Sequence, residues 1–199
     1  MEIADYVVCS IDDYEGHHKK HFKLESSLLH ACVALDGTAS KFYPDKGVRS
    51  RFIQIISEYY WLIEPMLAIG INLRETIFEP IDLGSHEPNF AQIIYEIFRC
   101  NLAHGDNIPL GFEIEFTEND QWRSAIIGKE KFVLPDTLTF ALLSVVVFSE
   151  VNSEQRIGNE DYYLTHDQRK FVIDEYWGKE EVVLDYFQSV DLPSVKLEF

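Results

Sequence analysis

Apolar residues recur at steps of three and four through most of the first hundred positions, and the recurrence stops at Gly105. A chain so spaced buries one stripe of each helix, so the pattern points to a helical bundle. Residues 21–42 read as a long helix with Leu24, Leu28, Ala31, Cys32, Leu35, Ala39 and Phe42 on its inner side. Gly37 inside it costs about 1 kcal/mol relative to alanine, which suggests that a close neighbour needs the space. Pro44 ends that pattern. A second helix reads over 48–69, apolar at Phe52, Ile55, Ile56, Tyr59, Ile63 and Met66, with Pro65 marking a kink or a new turn. Gly70 is its stop. A third opens near Pro88, carries Phe90, Ile93, Ile94, Ile97 and Leu102, and closes at Gly105, where a left-handed cap is expected.

Beyond Gly105 the period changes. Phe112, Ile114 and Phe116 alternate with Glu113 and Glu115, which reads as a strand. Residues 122–127 and 131–134 read as two more, joined by a turn at Gly128 and Lys129. Pro135 starts a helix to about Val151 whose middle is apolar on most sides, the signature of a central buried helix. A polar loop follows, then a helix over 165–177 capped by Thr165, and a short one over 179–190. The expected fold class is all-α: a bundle of four to six helices in one domain, 1–199, with a small β-hairpin or meander inserted at about 111–134.

The 199 residues are 46% hydrophobic, enough for a core without staples. Acids outnumber bases 34 to 17, for a net charge of −17, which argues against a broad basic groove for nucleic acid. The imbalance is uneven: residues 1–105 carry a net −6 and residues 106–199 a net −11, so a polyanion would favour the first part. Three widely spaced cysteines, Cys9, Cys32 and Cys100, suggest a reducing compartment. The acidic N-terminus lacks the apolar core of a signal peptide, and no apolar run approaches the roughly 20 residues that span a bilayer. A cytoplasmic protein without membrane partners is expected.

The main chemical candidate is the end of the third helix. Arg99 and His104 stand five apart, about 140° around an ideal helix, and the long arginine stem can swing toward the helix end. Asn101, three before His104, is placed to orient the imidazole. A planar cation, a group that exchanges a proton near neutral pH and an amide that orients it are what phosphodiester transfer in RNA needs, because the ribose 2′-OH is a built-in nucleophile. Among seven arginines and seven histidines this is the only pair at such a spacing. Spacing alone is a weak motif, and a C-terminal histidine also soothes a helix dipole.

The run Ile94-Tyr95-Glu96-Ile97-Phe98-Arg99-Cys100-Asn101-Leu102-Ala103-His104-Gly105 resembles the signature of the HEPN superfamily, in which an arginine, four to six residues and a histidine close a helix. Residues 28–39, and the following helix with Arg51-Phe52-Ile53, are similar to the first helices of many HEPN domains. The resemblance implies a bundle of four or five helices, a homodimer whose Arg–His motifs face each other, and a metal-independent endoribonuclease, often a toxin or phage-defence effector. It gives Arg99 the scissile phosphate, His104 proton transfer or placement of the 2′-OH, and Asn101 the accessory polar role, with no cofactor. Cys100 departs from it, since the polar residue often directly follows the arginine. Some HEPN domains are inactive RNA- or protein-binding modules, and some work with an antitoxin or a nucleotidyltransferase on another chain.

Other features weigh less. His17 and His21 have a spacing that can bind metal on one helical face, but Lys19 and Lys20 would repel a cation, and a solvated helix start is the expectation. Asp36 reads either as an acid facing the cleft of Arg99 or as a surface acid. Gly84-Ser85 matches a nucleotidyltransferase dipeptide without the acids that would support it. Tyr59, Tyr60 and Trp61 read as core, with a dimer face or a base-stacking surface as the alternative.

Overall fold

The computed structural model describes residues 2–15, 23–67, 72–76, 78, 88–116, 126–127, 131–166 and 168–189, with backbone alone at 126–127. The chain is mostly helical, with small strand pairs.

Helix α1, Ile3–Glu15, buries Ala4, Val7, Ser10 and Ile11, and packs on α2, Lys23–Phe42. Small residues let the two approach closely: Ser10 Oγ donates to Ser27 O (2.8 Å) and Ser27 Oγ donates to Ser10 O (2.6 Å). Gly37 has the close neighbour expected of it, because a Cβ there would lie 3.1 Å from Ile3 Cγ1. Among the α2 positions read as internal, Leu24, Leu28, Ala31, Cys32, Leu35 and Ala39 are buried, and Phe42 packs against the core.

The expected helix over 48–69 is two. α3 covers Val48–Glu58 and α4 covers Tyr60–Leu67, with Pro65 inside α4 and the break at Tyr59 (φ −97°, ψ 18°). Consecutive helical residues point about 100° apart. The break lets both Tyr59 and Tyr60 turn into the core, so neither is an exposed stacking surface. Tyr60 Oη accepts the amide of Ala91, and Tyr59 Oη donates to Glu180.

The third expected helix runs from Phe90 to His104 in three parts: α5 Phe90–Ile93, a π-helical segment Ile94–Arg99, and α6 Cys100–His104. Asn89 and Gln92 form a capping box at its start, and Gly105 ends it with φ 76°, as the left-handed cap requires.

The β insertion is not a meander. β1 Phe112–Glu115, β2 Ile126–Ile127 and β3 Phe132–Pro135 stand in the order β1-β3-β2. β2 and β3 are antiparallel, whereas β1 lies parallel on the other edge of β3 with Phe112 opposite Phe132. That register stacks the two phenylalanines at 5.7 Å and brings Lys131 to Glu113 (2.9 Å) and Glu115 (3.0 Å). The turn at Gly128 and Lys129 lies outside the described residues.

α7, Thr137–Phe148, is the buried central helix. Tyr14 Oη donates to Asp136 Oδ2 at 2.5 Å, tying the end of α1 to the start of α7. The helix expected over 165–177 is mostly strand. β4 Tyr163–His166 pairs antiparallel with β5 Arg169–Val172, and only α8, Ile173–Tyr176, is helical. Thr165 therefore sits in a strand rather than at a cap. The period explains it: Leu164, His166 and Phe171 point inward while Tyr163, Thr165 and Lys170 face out. α9, Glu180–Ser189, follows. One hydrophobic cluster runs from Ala4 in α1 to Phe187 in α9.

Candidate functional site

The helix from Phe90 to His104 widens in its middle, and the widening serves its bulky apolar row. Phe90, Ile94, Phe98 and Leu102 follow strict steps of four, and all are buried. On a straight α-helix a four-step row drifts about 40° per step, roughly 120° over three steps. A π turn takes up one extra residue and keeps the row facing the core. The amide of Cys100 accordingly donates to Tyr95 O, five residues back.

Arg99 is the last residue of the widened segment. Its Nε and Nη2 both donate to Asp36 Oδ2 on α2, at 2.9 and 2.5 Å. Of the two readings of Asp36, the structure selects the acid that faces Arg99. The side chains are 23% and 13% exposed, so the pair is largely shielded from water. Burial works against the charge on Arg99, and the Asp36 carboxylate more than offsets it, so the guanidinium pKa lies above its ordinary value. The side-on fork of Arg99 is thus engaged, while among the described residues both Nη1 hydrogens and one Nη2 hydrogen remain for another acceptor. Asp36 Oδ1 is buried and accepts no hydrogen bond among the described residues.

Sequence reasoning missed Tyr95, whose ring centroid lies 5.6 Å from the Arg99 guanidinium carbon. The signal was its four-residue spacing from Arg99. Tyr95 itself packs on Phe52 of α3 at 5.5 Å, and Arg49 closes the same side through a 2.6 Å ion pair with Glu96. Burial and the neighbouring Cys100 raise the Tyr95 pKa. Cys32 is fully buried beside Asp36, and burial drives its thiol pKa far up, which fits packing rather than reactivity.

Asn101 does not turn toward His104. Its Nδ2 donates back to Ile97 O (2.7 Å) and Glu96 O (3.3 Å), into the widened turn. His104 is exposed at the last helical position, and among the described residues nothing hydrogen-bonds or ion-pairs with its imidazole. The structure therefore brings Arg99, Asp36 and Tyr95 together, leaves His104 open to solvent one helical turn further on, and assigns Asn101 to the backbone.

His17, His18, His21 and Gly84-Ser85 lie outside the described residues. Among the described residues no group of three or more His, Cys, Asp or Glu is placed to hold a metal ion, and no helix is long and apolar enough to cross a membrane.

Comparison with known proteins places the chain in a family. No solved structure matches it significantly. It is similar to Uncharacterized protein Rv1289 of Mycobacterium tuberculosis and to Uncharacterized protein Mb1320 of Mycobacterium bovis, each 30% identical over 169 residues that cover 82% of this chain and 78% of the relative. A family model described as Rv1289 matches residues 2–199. With the match running over nearly the whole length, from α1 through α9, the chain belongs to the Rv1289 family.

Proposed function

We propose that the protein is a metal-independent endoribonuclease of HEPN type, with Arg99 and His104 as its reacting pair. The observation that carries this reading is the Arg99 guanidinium held from one side by Asp36, its remaining N–H groups unspent, five residues before an exposed histidine that ends the helix. Those N–H groups suit a phosphodiester, which takes two parallel hydrogen bonds from a guanidinium. The ribose 2′ oxygen bonds to phosphorus as the bond from phosphorus to the 5′ oxygen breaks. The 2′ proton passes to a base, and the departing 5′ oxygen takes up a proton, a role His104 fills at neutral pH. The products are a 2′,3′-cyclic phosphate and a 5′-hydroxyl end. The same reading makes the protein a homodimer whose two Arg–His pairs converge, acting as a toxin or phage-defence effector with an antitoxin or nucleotidyltransferase-type partner.

The test is a denaturing gel of mixed RNA incubated with protein in EDTA. Wild type is expected to cleave, and Arg99→Ala and His104→Ala each to lose about 100-fold or more, the scale of a lost acid–base group. Equal cleavage by wild type and His104→Ala would overturn the assignment.

A second reading has an observation of its own. The Asp36–Arg99 pair also suits an arginine that serves the fold, and a net charge of −17 disfavours polyanion binding. On that reading the protein is a non-catalytic RNA- or protein-binding module, and no variant of His104 changes any RNA band.

A further inference from the structure

We infer that Asn101 is a positioning residue: its side-chain amide locks the helix from Phe90 to His104 in the π-widened register, and that register sets where Arg99 and His104 stand. The functional consequence rests on the reading of Arg99 and His104 as the reacting pair; the register does not.

A helix with one π turn is displaced by one residue beyond it, about 100° of rotation and 1.5 Å of rise. The N-terminal part cannot absorb that change, because the capping box of Asn89 and Gln92 and the burial of Phe90, Ala91 and Ile93 fix it. Closing the π turn would therefore turn Arg99–His104 against the rest of the molecule. Arg99 would leave Asp36, Leu102 would leave the core, and His104 would face a different side. The geometry of the pair exists in one register.

Two features select that register. The four-step apolar row selects it coarsely, through burial. Asn101 is the second. In a regular helix the carbonyls of Glu96 and Ile97 are served by backbone amides alone. Here the Asn101 Nδ2 donates to both, at 3.3 and 2.7 Å, and bridges the widened turn. Asparagine is a poor helix former because its side chain competes for backbone groups, which suits a staple of an irregular turn and not a regular one.

The test compares Asn101→Leu, which keeps the branched heavy-atom shape and removes the donor, with Asn101→Gln, which restores an amide. Register is read by hydrogen exchange over residues 94–104 and by the alkylation rate of Cys100 with N-ethylmaleimide in a Cys9→Ser background. Asn101→Leu is expected to speed exchange and change the alkylation rate several-fold, with Asn101→Gln closer to wild type in both. Cleavage of RNA should fall about 100-fold in kcat with KM nearly constant, the scale of a misplacement of about 1 Å. Unchanged exchange and alkylation in Asn101→Leu would overturn the inference. So would a shifted register with unchanged kcat in an active enzyme. If wild type cleaves no RNA, the nuclease reading fails, and exchange and alkylation still decide whether Asn101 holds the register.

Discussion

The two helices that meet at the Asp36–Arg99 pair are built on opposite plans. α2 keeps one register for 20 residues, and its buried row alternates steps of four and three through Leu24, Leu28, Ala31 and Leu35. It also buries the four-step row Ser27, Ala31, Leu35 and Ala39, whose mostly small side chains tolerate the drift of a straight helix. The helix from Phe90 to His104 buries the bulky four-step row Phe90, Ile94, Phe98 and Leu102, and its π turn keeps that row on the core side. The regular helix supplies a fixed reference, a carboxylate on a rigid rod. The irregular one places the groups that need an unusual angle. Irregular turns persist only where the surroundings hold them, and here packing and the Asn101 amide both do so.

The comparison breaks most readily at the two rows. Leu35→Ala in α2 is expected to destabilise by about 2–5 kcal/mol and Phe98→Ala by about 3–5 kcal/mol, both from fully buried positions. The difference lies in what moves. Leu35→Ala should lower the urea midpoint and leave relative exchange rates along both helices in place. Phe98→Ala should also speed exchange over 94–104, because the row that selects the π register has lost a member. Identical exchange patterns in the two variants would mean that the row does not set the register.

The contrast also explains what the residues disclosed in advance. The helices at 21–42 and 88–104, the central helix after Pro135 and the Gly105 cap were legible because a three-and-four period and a glycine act locally. α1 carried the same period at Ala4, Val7 and Ile11, but its acids masked it. The π turn hid because a buried four-step row also occurs in the regular α2, at Ser27, Ala31, Leu35 and Ala39. β1 was legible as a strand from its alternation, whereas its parallel place beside β3 depends on contacts 20 residues apart, such as Phe112 with Phe132. The strand at Thr165 was taken for a helix because its cross-strand pairs, Leu164 with Phe171 and His166 with Arg169, are visible only once the hairpin is closed. In the candidate site, Arg99 and His104 stood out by residue type and spacing. Asp36 as their support, and Asn101 facing the backbone, required the packing of α2 against the interrupted helix.

A second measurement sharpens the contact between the two plans. Exposed ion pairs contribute about 0–1 kcal/mol, and breaking a fully buried one costs about 3–5 kcal/mol. At 23% and 13% exposure the Asp36–Arg99 pair falls between, so Asp36→Asn should destabilise by about 1–3 kcal/mol. Paired with Arg99→Met in a double-mutant cycle, the coupling should be favourable and of similar size. The raised pKa of Arg99 fixes the sign of the pH effect. Its contribution is complete below the unfolded arginine value and is lost only as pH rises through the higher folded value, so the arginine adds no pH dependence near neutrality. A stability change near zero in Asp36→Asn would make α2 a bystander rather than a reference.

The smallest expected effect tests whether α2 is as rigid a reference as its regularity suggests. Gly37→Ala gains about 1 kcal/mol of helix propensity. Against that stands the new Cβ, 3.1 Å from Ile3 Cγ1 and 3.3 Å from Ile3 Cδ1, contacts that α1 must relieve by shifting a few tenths of an ångström. The two terms nearly cancel, so the thermal midpoint should move little in either direction. Gly37→Val adds bulk and loses the propensity gain, and it should destabilise by about 1–3 kcal/mol. If Gly37→Val is tolerated as well as Gly37→Ala, α1 yields freely, and the α1–α2 face is softer than the interrupted helix it is compared with.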